Sequence, residues 1–376
     1  MIGTYKTVVA VGSDHYNTLW LVRALGMAGF EPTAIITGKK DGRSFVGKSK
    51  YCKQCHCLSS IDALLPLLDS IVFPQKTVLI ATSDKVAALI DKNYTKLSSK
   101  FFLCNCDQKD GGICHWMDKQ NQLICAKESG LTVPLSYTKD LKDDMDISDI
   151  KYPVLVKPEV SAVADKEAFR ICYNVSELRT AIEDIRDLCS KVIVQEFVKH
   201  DNEYLMYGVA CGNEIIIPGG VFKTITCSDT RNLGMHVYGY ISAKHPIQFD
   251  GIESVKQFVR NIHYQGIFSV EVMITKEHYC FLEINMRNDG TSYITTQAGV
   301  NIPAIWAAYC YGYNWQQYPT NFKREKTFGL NEINYIKYGL RKTRLMGTIK
   351  NVLHAKAFSL YKCGDIRPLI YKILYH

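Results

Sequence analysis

The stretch Phe281-Leu-Glu-Ile-Asn-Met-Arg-Asn-Asp-Gly290 decides how this chain is read. Phe281, Leu282 and Ile284 are apolar and predict a short buried strand. Side chains alternate along a strand, so Glu283 and Asn285 share one side and Arg287 continues the row. A carboxylate, an amide and a guanidinium would be costly together in an apolar core. They fit a divalent cation on the first two, because hard cations take oxygen ligands, and a phosphate on the arginine. One strand earlier, Gly266-Ile-Phe-Ser-Val-Glu-Val-Met273 places a second carboxylate, Glu271, in an otherwise apolar run. The two runs predict a β-hairpin. Ordinary salt-bridged strand residues are the plain alternative, and the rest of the chain decides between the two.

Before that hairpin, strand and helix patterns alternate. Thr7-Val-Val-Ala-Val-Gly12 reads as a buried strand, and Thr18 is a candidate cap for a helix that ends at Gly29. Pro32 to Ile36, Thr77 to Ala81 and Phe101 to Leu103 read as further strands, with helices over Ile61 to Leu68 and after Ser83 or Asp84. This order predicts a parallel α/β domain over residues 1–112. A lone Gly12 is too little for a dinucleotide fingerprint. The loop Ser13-Asp-His-Tyr-Asn17 is therefore read as a strand-end ligand site, with Asn17 and, from the first helix, Arg23 as substrate candidates.

Further on, Tyr152-Pro-Val-Leu-Val-Lys-Pro158 is a strand ending in a lysine, and Ser176 is a candidate cap for a helix through Ile185. Val192 to Val198 is another strand, followed by antiparallel-looking runs up to Ser242. Arg231 and His236 sit in a polar, glycine-containing segment where a carboxylate substrate could bind.

Composition sets the outer limits. With 376 residues, 47% of them hydrophobic, the chain can bury a large core, and no apolar run has the length of a membrane span. The first residues lack the layout of a secretion signal, so a cytoplasmic location is expected. The 14 cysteines are scattered, which suits reduced thiols better than a disulfide framework. Cys52, Cys55 and Cys57, even with Cys104 and Cys106 to complete a site, do not form paired zinc knuckles, so strand or loop cysteines are expected there, with zinc as the alternative. The net charge is +8, and residues 335–376 hold nine Lys and Arg against Asp365 alone. The body is therefore balanced and gives no support for a nucleic-acid channel. The basic segment also carries apolar residues. Such a segment can lie on an anionic membrane or meet an acidic partner, but a solvated face packed beside the body is the commoner arrangement and the expectation here.

Taken together, Met117-Asp-Lys119, Gly130-Leu-Thr-Val-Pro134, Pro153 to Pro158, Val194-Gln-Glu-Phe-Val198, Glu271 and Phe281 to Arg287 form an ordered series. Over residues 113–313 the series resembles the ATP-grasp superfamily. That resemblance implies an α/β fold in which the N-terminal domain precedes a two-lobed ATP-grasp domain with antiparallel sheets, the lobes at 113–190 and 191–320. Residues 321–376 are left as a basic tail that resembles nothing further. It also implies ATP and Mg²⁺ (or Mn²⁺) as cofactors. Lys119 and Lys157 match the phosphate-binding lysines, Glu196, Phe197 and Val198 the adenine-reading segment, and Glu203 the ribose acid. Glu271, Glu283 and Asn285 match the metal ligands, and Arg287 the arginine that, with Lys157, offsets charge during transfer.

One departure stands out: residues 159–170 hold no glycine where the family has a phosphate-covering loop, so Lys166 or Arg170 would supply charge there. The glycine-poor loop, Gly234-Met-His-Val237 and the run after the metal strand are similar to the D-aspartate ligase branch. The implied function is an ATP-dependent carboxylate–amine ligase that forms an amide through an acyl phosphate. Its substrate would be an amino acid such as D-aspartate, for envelope or capsule biosynthesis. A bicarbonate-using carboxylase or carbamoyl-phosphate-type enzyme is the alternative within catalysis. A non-catalytic nucleotide-binding subunit is the alternative outside it.

Overall fold

Runs of apolar residues too continuous for a half-exposed sheet build the first layer. The computed structural model describes residues 6–141, 150–158, 169–187, 189–200, 202–225, 236–242, 251–275, 278–324, 327–332, 349 and 352–375. The strands β1 (Thr7–Gly12), β2 (Glu31–Ile36), β3 (Gln54–Cys57), β4 (Thr77–Ala81) and β5 (Phe101–Phe102) form a parallel sheet in the order β3-β2-β1-β4-β5. Helices α1 (Tyr16–Met27), α2 (Leu64–Ser70), α3 (Asp84–Asp91) and α4 (Tyr94–Leu97) connect these strands. Val8 to Val11 are all fully buried, as parallel strands covered on both faces require.

One local reading changes here, the helix cap. The cap of α1 is His15, which accepts from the Asn17 N–H, whereas Thr18 turns its hydroxyl to the Ser13 carbonyl and to Thr82. Gly12 is needed for close packing, since a Cβ there would strike the Thr82 hydroxyl. The cysteine cluster contributes a strand: Cys55 and Cys57 lie on β3, paired with Ala34 and Ile36. Among the described residues, no group of three His, Cys, Asp or Glu is arranged to hold a metal.

A short connection of β6 (Asn105–Cys106), α5 (Gly112–Trp116) and α6 (Lys119–Glu128) leads to a small antiparallel lobe. Strands β7 (Ser136–Asp140), β8 (Val154–Pro158), β9 (Arg170–Cys172) and β10 (Lys191–Glu196) form it in the order β7-β10-β8-β9. Helix α7 (Val175–Arg186) covers this sheet with Leu178, Ala181, Ile182 and Ile185. Its cap is Asn174, not Ser176, because the Asn174 side chain accepts from the Glu177 N–H.

The rest is a large sheet. Strands β11 (Asn202–Cys211), β12 (Glu214–Ile216), β13 (Gly220–Ile225) and β14 (His236–Ser242) are followed by α8 (Ile252–Asn261), β15 (Tyr264–Ile274) and β16 (Tyr279–Asn285). Helices α9 (Ser292–Ala298) and α10 (Ile302–Cys310), strands β17 (Phe328–Leu330) and β18 (Ala355–Phe358), and helix α11 (Arg367–Tyr375) complete the chain. The sheet runs β16-β15-β11-β13-β14-β17-β18, with β12 paired to β11 and β6 paired to β15. One face packs on α6 and α8 through Met206, Val270, Val272, Phe258 and Phe281; the other meets the first domain through Leu205, Tyr207 and Ile267.

The segment read as a tail is built into this body wherever it is described. Strand β18 joins the large sheet through β17, and Arg23 of α1 forms a fully buried ion pair with Asp365 at 2.8 Å. No helix among the described residues is long and apolar enough to cross a membrane.

Candidate active site

The hairpin of β15 and β16 sets the site through an irregularity in its register. Glu271 lies opposite Glu283 and Ser269 opposite Asn285, but Val272 lies opposite Phe281, so Leu282 is the extra residue of a β-bulge. Strict alternation would put Phe281 on the same side as Glu283. The bulge instead turns Phe281 into the core with Ile284 and leaves Glu283 and Asn285 beside Glu271.

Strand β16 is a sheet edge, and its backbone would be open to solvent without a partner. Gln122 of α6 closes it: its amide accepts from the Ile284 N–H at 2.9 Å and donates to the Ile284 carbonyl at 3.1 Å. The same helix starts at Lys119, with Asp118 capping it, so Lys119 is held over the strand.

From there a chain of contacts runs along the row. Lys119 Nζ lies 3.3 Å from Glu283 Oε2, and Asn285 Nδ2 donates to Glu283 Oε1 at 3.3 Å. Asn285 Oδ1 accepts from Arg287 Nη2 at 3.1 Å. Arg287 reaches across to the first domain, where its Nε and Nη2 donate to the two carboxylate oxygens of Asp84 at 2.6 and 3.1 Å. Burial alone would lower the Arg287 pKa, but Asp84, Asp289 and Glu283 outweigh it and raise the value.

Lys157, at the end of β8, is only 4% exposed and donates to Gln195 Oε1 at 2.9 Å; Gln195 in turn donates to Ser136. Burial first, and then the positive charge of Lys119, push its pKa down to about 7, while Glu283 acts the other way. Lys157 is thus a poorly solvated amine that gains from an anion placed between it and Lys119.

The donor set of Glu271 and Glu283 is all oxygen, at matched positions on neighbouring strands, and fits a hard divalent cation. The Asn285 oxygen is engaged by Arg287, so the two carboxylates carry that fit. Glu203 stands on the same face of β11 as Leu205, the residue opposite Glu271, and its carboxylate lies 3.6 Å from His200 Nε2. Glu196 and Phe197 form the exit from the small lobe. Their backbone N–H groups already donate to the Leu135 and Pro153 carbonyls, and the Glu196 carboxylate accepts from the Leu135 N–H. The Val198 carbonyl is in contact with His200 Nδ1 at 2.8 Å.

Two expected substrate residues have other work. Asn17 is buried, donating to the Thr82 and Asn288 carbonyls and accepting from the Asn288 side chain. Tyr207 completes that joint with a 2.6 Å bond to Asn288. Arg23 is fully buried and spent on Asp365 and the Leu360 carbonyl, facing the carboxy-terminal segment. Asp14 holds the 44–46 turn through Ser44 and two backbone N–H groups. Lys166 and Arg231 lie outside the described residues, as does the side chain of His236, whose backbone opens β14. The sequence reading missed Gln122, Gln195, Asp84 and Asn288, each of which acts through a partner distant in the chain.

Comparison with known proteins follows the same outline. A family model described as "ATP-grasp in the biosynthetic pathway with Ter operon" matches residues 247–333, which include the β15–β16 hairpin. The structure is similar to an N5-carboxyaminoimidazole synthetase from Staphylococcus aureus complexed with ADP. The TM-score is 0.65 at 14% identity, covering 90% of this chain and 86% of that one. The chain has the ATP-grasp fold. The structure is also similar to an L-amino acid ligase from Bacillus licheniformis, at a TM-score of 0.61 and 15% identity, covering 81% of this chain and 73% of that one. In sequence, a formate-dependent phosphoribosylglycinamide formyltransferase from Sulfurisphaera tokodaii is 30% identical over 157 residues, which is 39% of this chain. The match spans 38% of the length of that relative.

Proposed function

We propose that this protein uses ATP to activate a carboxylate and joins it to an amine. The observation that carries the reading is the row of Lys119, Glu283, Asn285 and Arg287 beside Glu271, with the buried Lys157 facing it from the small lobe. A plain structural network would not need a lysine whose charge is this poorly solvated.

ATP binds between the small lobe and the large sheet, with Glu203 at the ribose and the exit from β10 at the adenine. The N–H groups of Glu196 and Phe197 are already taken, so base recognition through a backbone donor falls to Val198. Lys157 and Lys119 hold phosphate oxygens, and Lys157 becomes fully protonated as they approach. Glu271 and Glu283 would hold Mg²⁺, with Asn285 beside them, and the bound cation would supply charge neutralisation to the phosphates. The substrate carboxylate attacks the γ-phosphorus, and the bond to the bridging oxygen of ADP breaks. Arg287, held rigid by Asp84, offsets charge on the transferred group. The amine then attacks the acyl carbon and phosphate leaves.

The carboxylate is the finer part of the reading. The formate-dependent relatives in sequence favour formate, and the glycine-poor segment after Lys157 favours an amino acid such as D-aspartate. Activation itself needs only a carboxylate oxygen, so one site can serve either. The test is ADP release with ATP, Mg²⁺ and pooled small carboxylates and amines, comparing the unmodified chain with Glu283→Ala. Release that needs both pools and is lost in the variant supports the ligase. Equal, carboxylate-independent release from both proteins would leave a nucleotide-binding subunit as the better reading.

A further inference from the structure

Helix α11 carries an apolar face that the body leaves uncovered. Ile366, Ile370, Ile373 and Leu374 are 46%, 47%, 68% and 67% exposed. At roughly 100° per residue these positions fall within one stripe about 100° wide. The opposite face is seated on the turn at residues 46–48: Pro368 is buried, Lys48 lies over the Tyr371 ring at 5.0 Å, and Lys372 lies over Phe45 at 5.3 Å. Arg43 lies over the Tyr375 ring at 5.6 Å. The stripe therefore points outward because the helix is pinned from behind.

Cations lie at one margin of the stripe, at Arg367, and behind the helix that carries it. Arg43, Lys48, Lys50 and Arg367 are exposed, and Lys372 is half-buried under the helix. The adjoining acid Asp365 is buried and spent on Arg23, Ser49 and the Lys50 N–H, so it does not balance them at the surface. Asp41, beside Arg43, is the exposed acid of this patch. The stripe turns aliphatic tips outward, with Arg367 beside it and the other cations behind the helix.

The geometry points to an anionic lipid surface as the partner of this face. An exposed aliphatic stripe with Lys and Arg close to it can sink into the headgroup boundary while its cations meet lipid phosphates. Docking here leaves the nucleotide site free, because α11 packs on the first domain and not on the β15–β16 hairpin.

The test is cosedimentation of the full chain with vesicles of phosphatidylcholine alone and of phosphatidylcholine with phosphatidylglycerol. The expected result is binding to the anionic vesicles, weakened by salt, and reduced about tenfold or more by the double change Ile370→Asp and Ile373→Asp. The double change Lys50→Glu and Arg367→Glu reduces it similarly, with the unfolding transition unchanged in both variants. Wild-type protein that binds neither vesicle, or an aspartate variant that binds as well as wild type, overturns the proposal. A wild-type dimer that Ile370→Asp splits would assign the stripe to a second copy of the chain and overturn it too.

Discussion

Two arginine–aspartate pairs tie distant parts of this chain together, and they differ in what surrounds them. Arg23 and Asp365 meet at 2.8 Å with side chains 0% and 1% exposed. Arg287 and Asp84 meet at 2.6 Å, but Asp84 is 59% exposed. In the first pair the carboxylate is also bonded to Ser49 and the Lys50 N–H, and the guanidinium to two backbone carbonyls, so the contacts hold the carboxy-terminal segment in place. In the second, Arg287 ends a row of oxygen and nitrogen groups that opens toward solvent. The same arginine–carboxylate chemistry is a fastener where water is excluded and, in its bidentate form at Asp84, a positioning device where a ligand can enter.

The sharpest way to break this contrast is to remove one partner of each pair. Asp365→Ala leaves Arg23 buried without its counter-charge and is expected to cost about 3–5 kcal/mol in urea unfolding. Arg287→Ala is expected to cost less, about 1–2 kcal/mol, because the Asp84 it leaves behind is open to water. It should nevertheless lower carboxylate-dependent ADP release about 100-fold or more. Equal stability losses in the two variants would erase the distinction.

Lys157 sharpens the comparison through pH. Its pKa of about 7 in the folded chain lies below the ~10.4 of an unfolded lysine. Between those values the unfolded chain holds the extra proton, so stability rises with pH through that window. The cost of burying the charge is fully present below pH 7. Lys157→Met is therefore expected to stabilise the ligand-free protein below pH 7, by an amount on the order of a few kcal/mol that fades toward pH 10, while weakening ATP binding. Denaturant titrations at pH 6, 8 and 10 with isothermal titration of ATP check both parts; a variant with the wild-type pH slope contradicts the account.

An effect of similar size is expected at the strand edge. Gln122→Leu leaves the outward N–H and carbonyl of Ile284 without their buried partner and is expected to cost about 1–3 kcal/mol. Faster amide exchange at Ile284, read by mass spectrometry, would mark that edge as opened. Unchanged exchange would mean another group can close it.

How much of this was legible from residues alone follows the same division. Strands such as Thr7–Gly12 and Val154–Pro158 declare themselves by continuous apolar runs, and the row at Glu283, Asn285 and Arg287 by polar groups in an apolar setting. The bulge at Leu282 does not declare itself, because alternation assumes a regular register and only the partner strand reveals the extra residue. Asn17 and Arg23 misled for a related reason. A polar residue at a strand end or on a helix has the same signature whether it awaits a ligand or meets a partner far away in the chain, here Asn288 and Asp365. The carboxy-terminal segment was set apart by charge composition, which says nothing of the strand pairing that returns it to the large sheet.

The central claim, that this row serves transfer of phosphate to a carboxylate, is tested most directly by following oxygen. A ¹⁸O-labelled carboxylate, first formate and then D-aspartate and pooled amino acids, is incubated with ATP, Mg²⁺, an amine pool and the protein. Attack through an acyl phosphate moves one labelled oxygen into each phosphate released with product. Amide formed with unlabelled phosphate, or well-folded protein that binds ATP yet releases no phosphate with any carboxylate, would contradict the account.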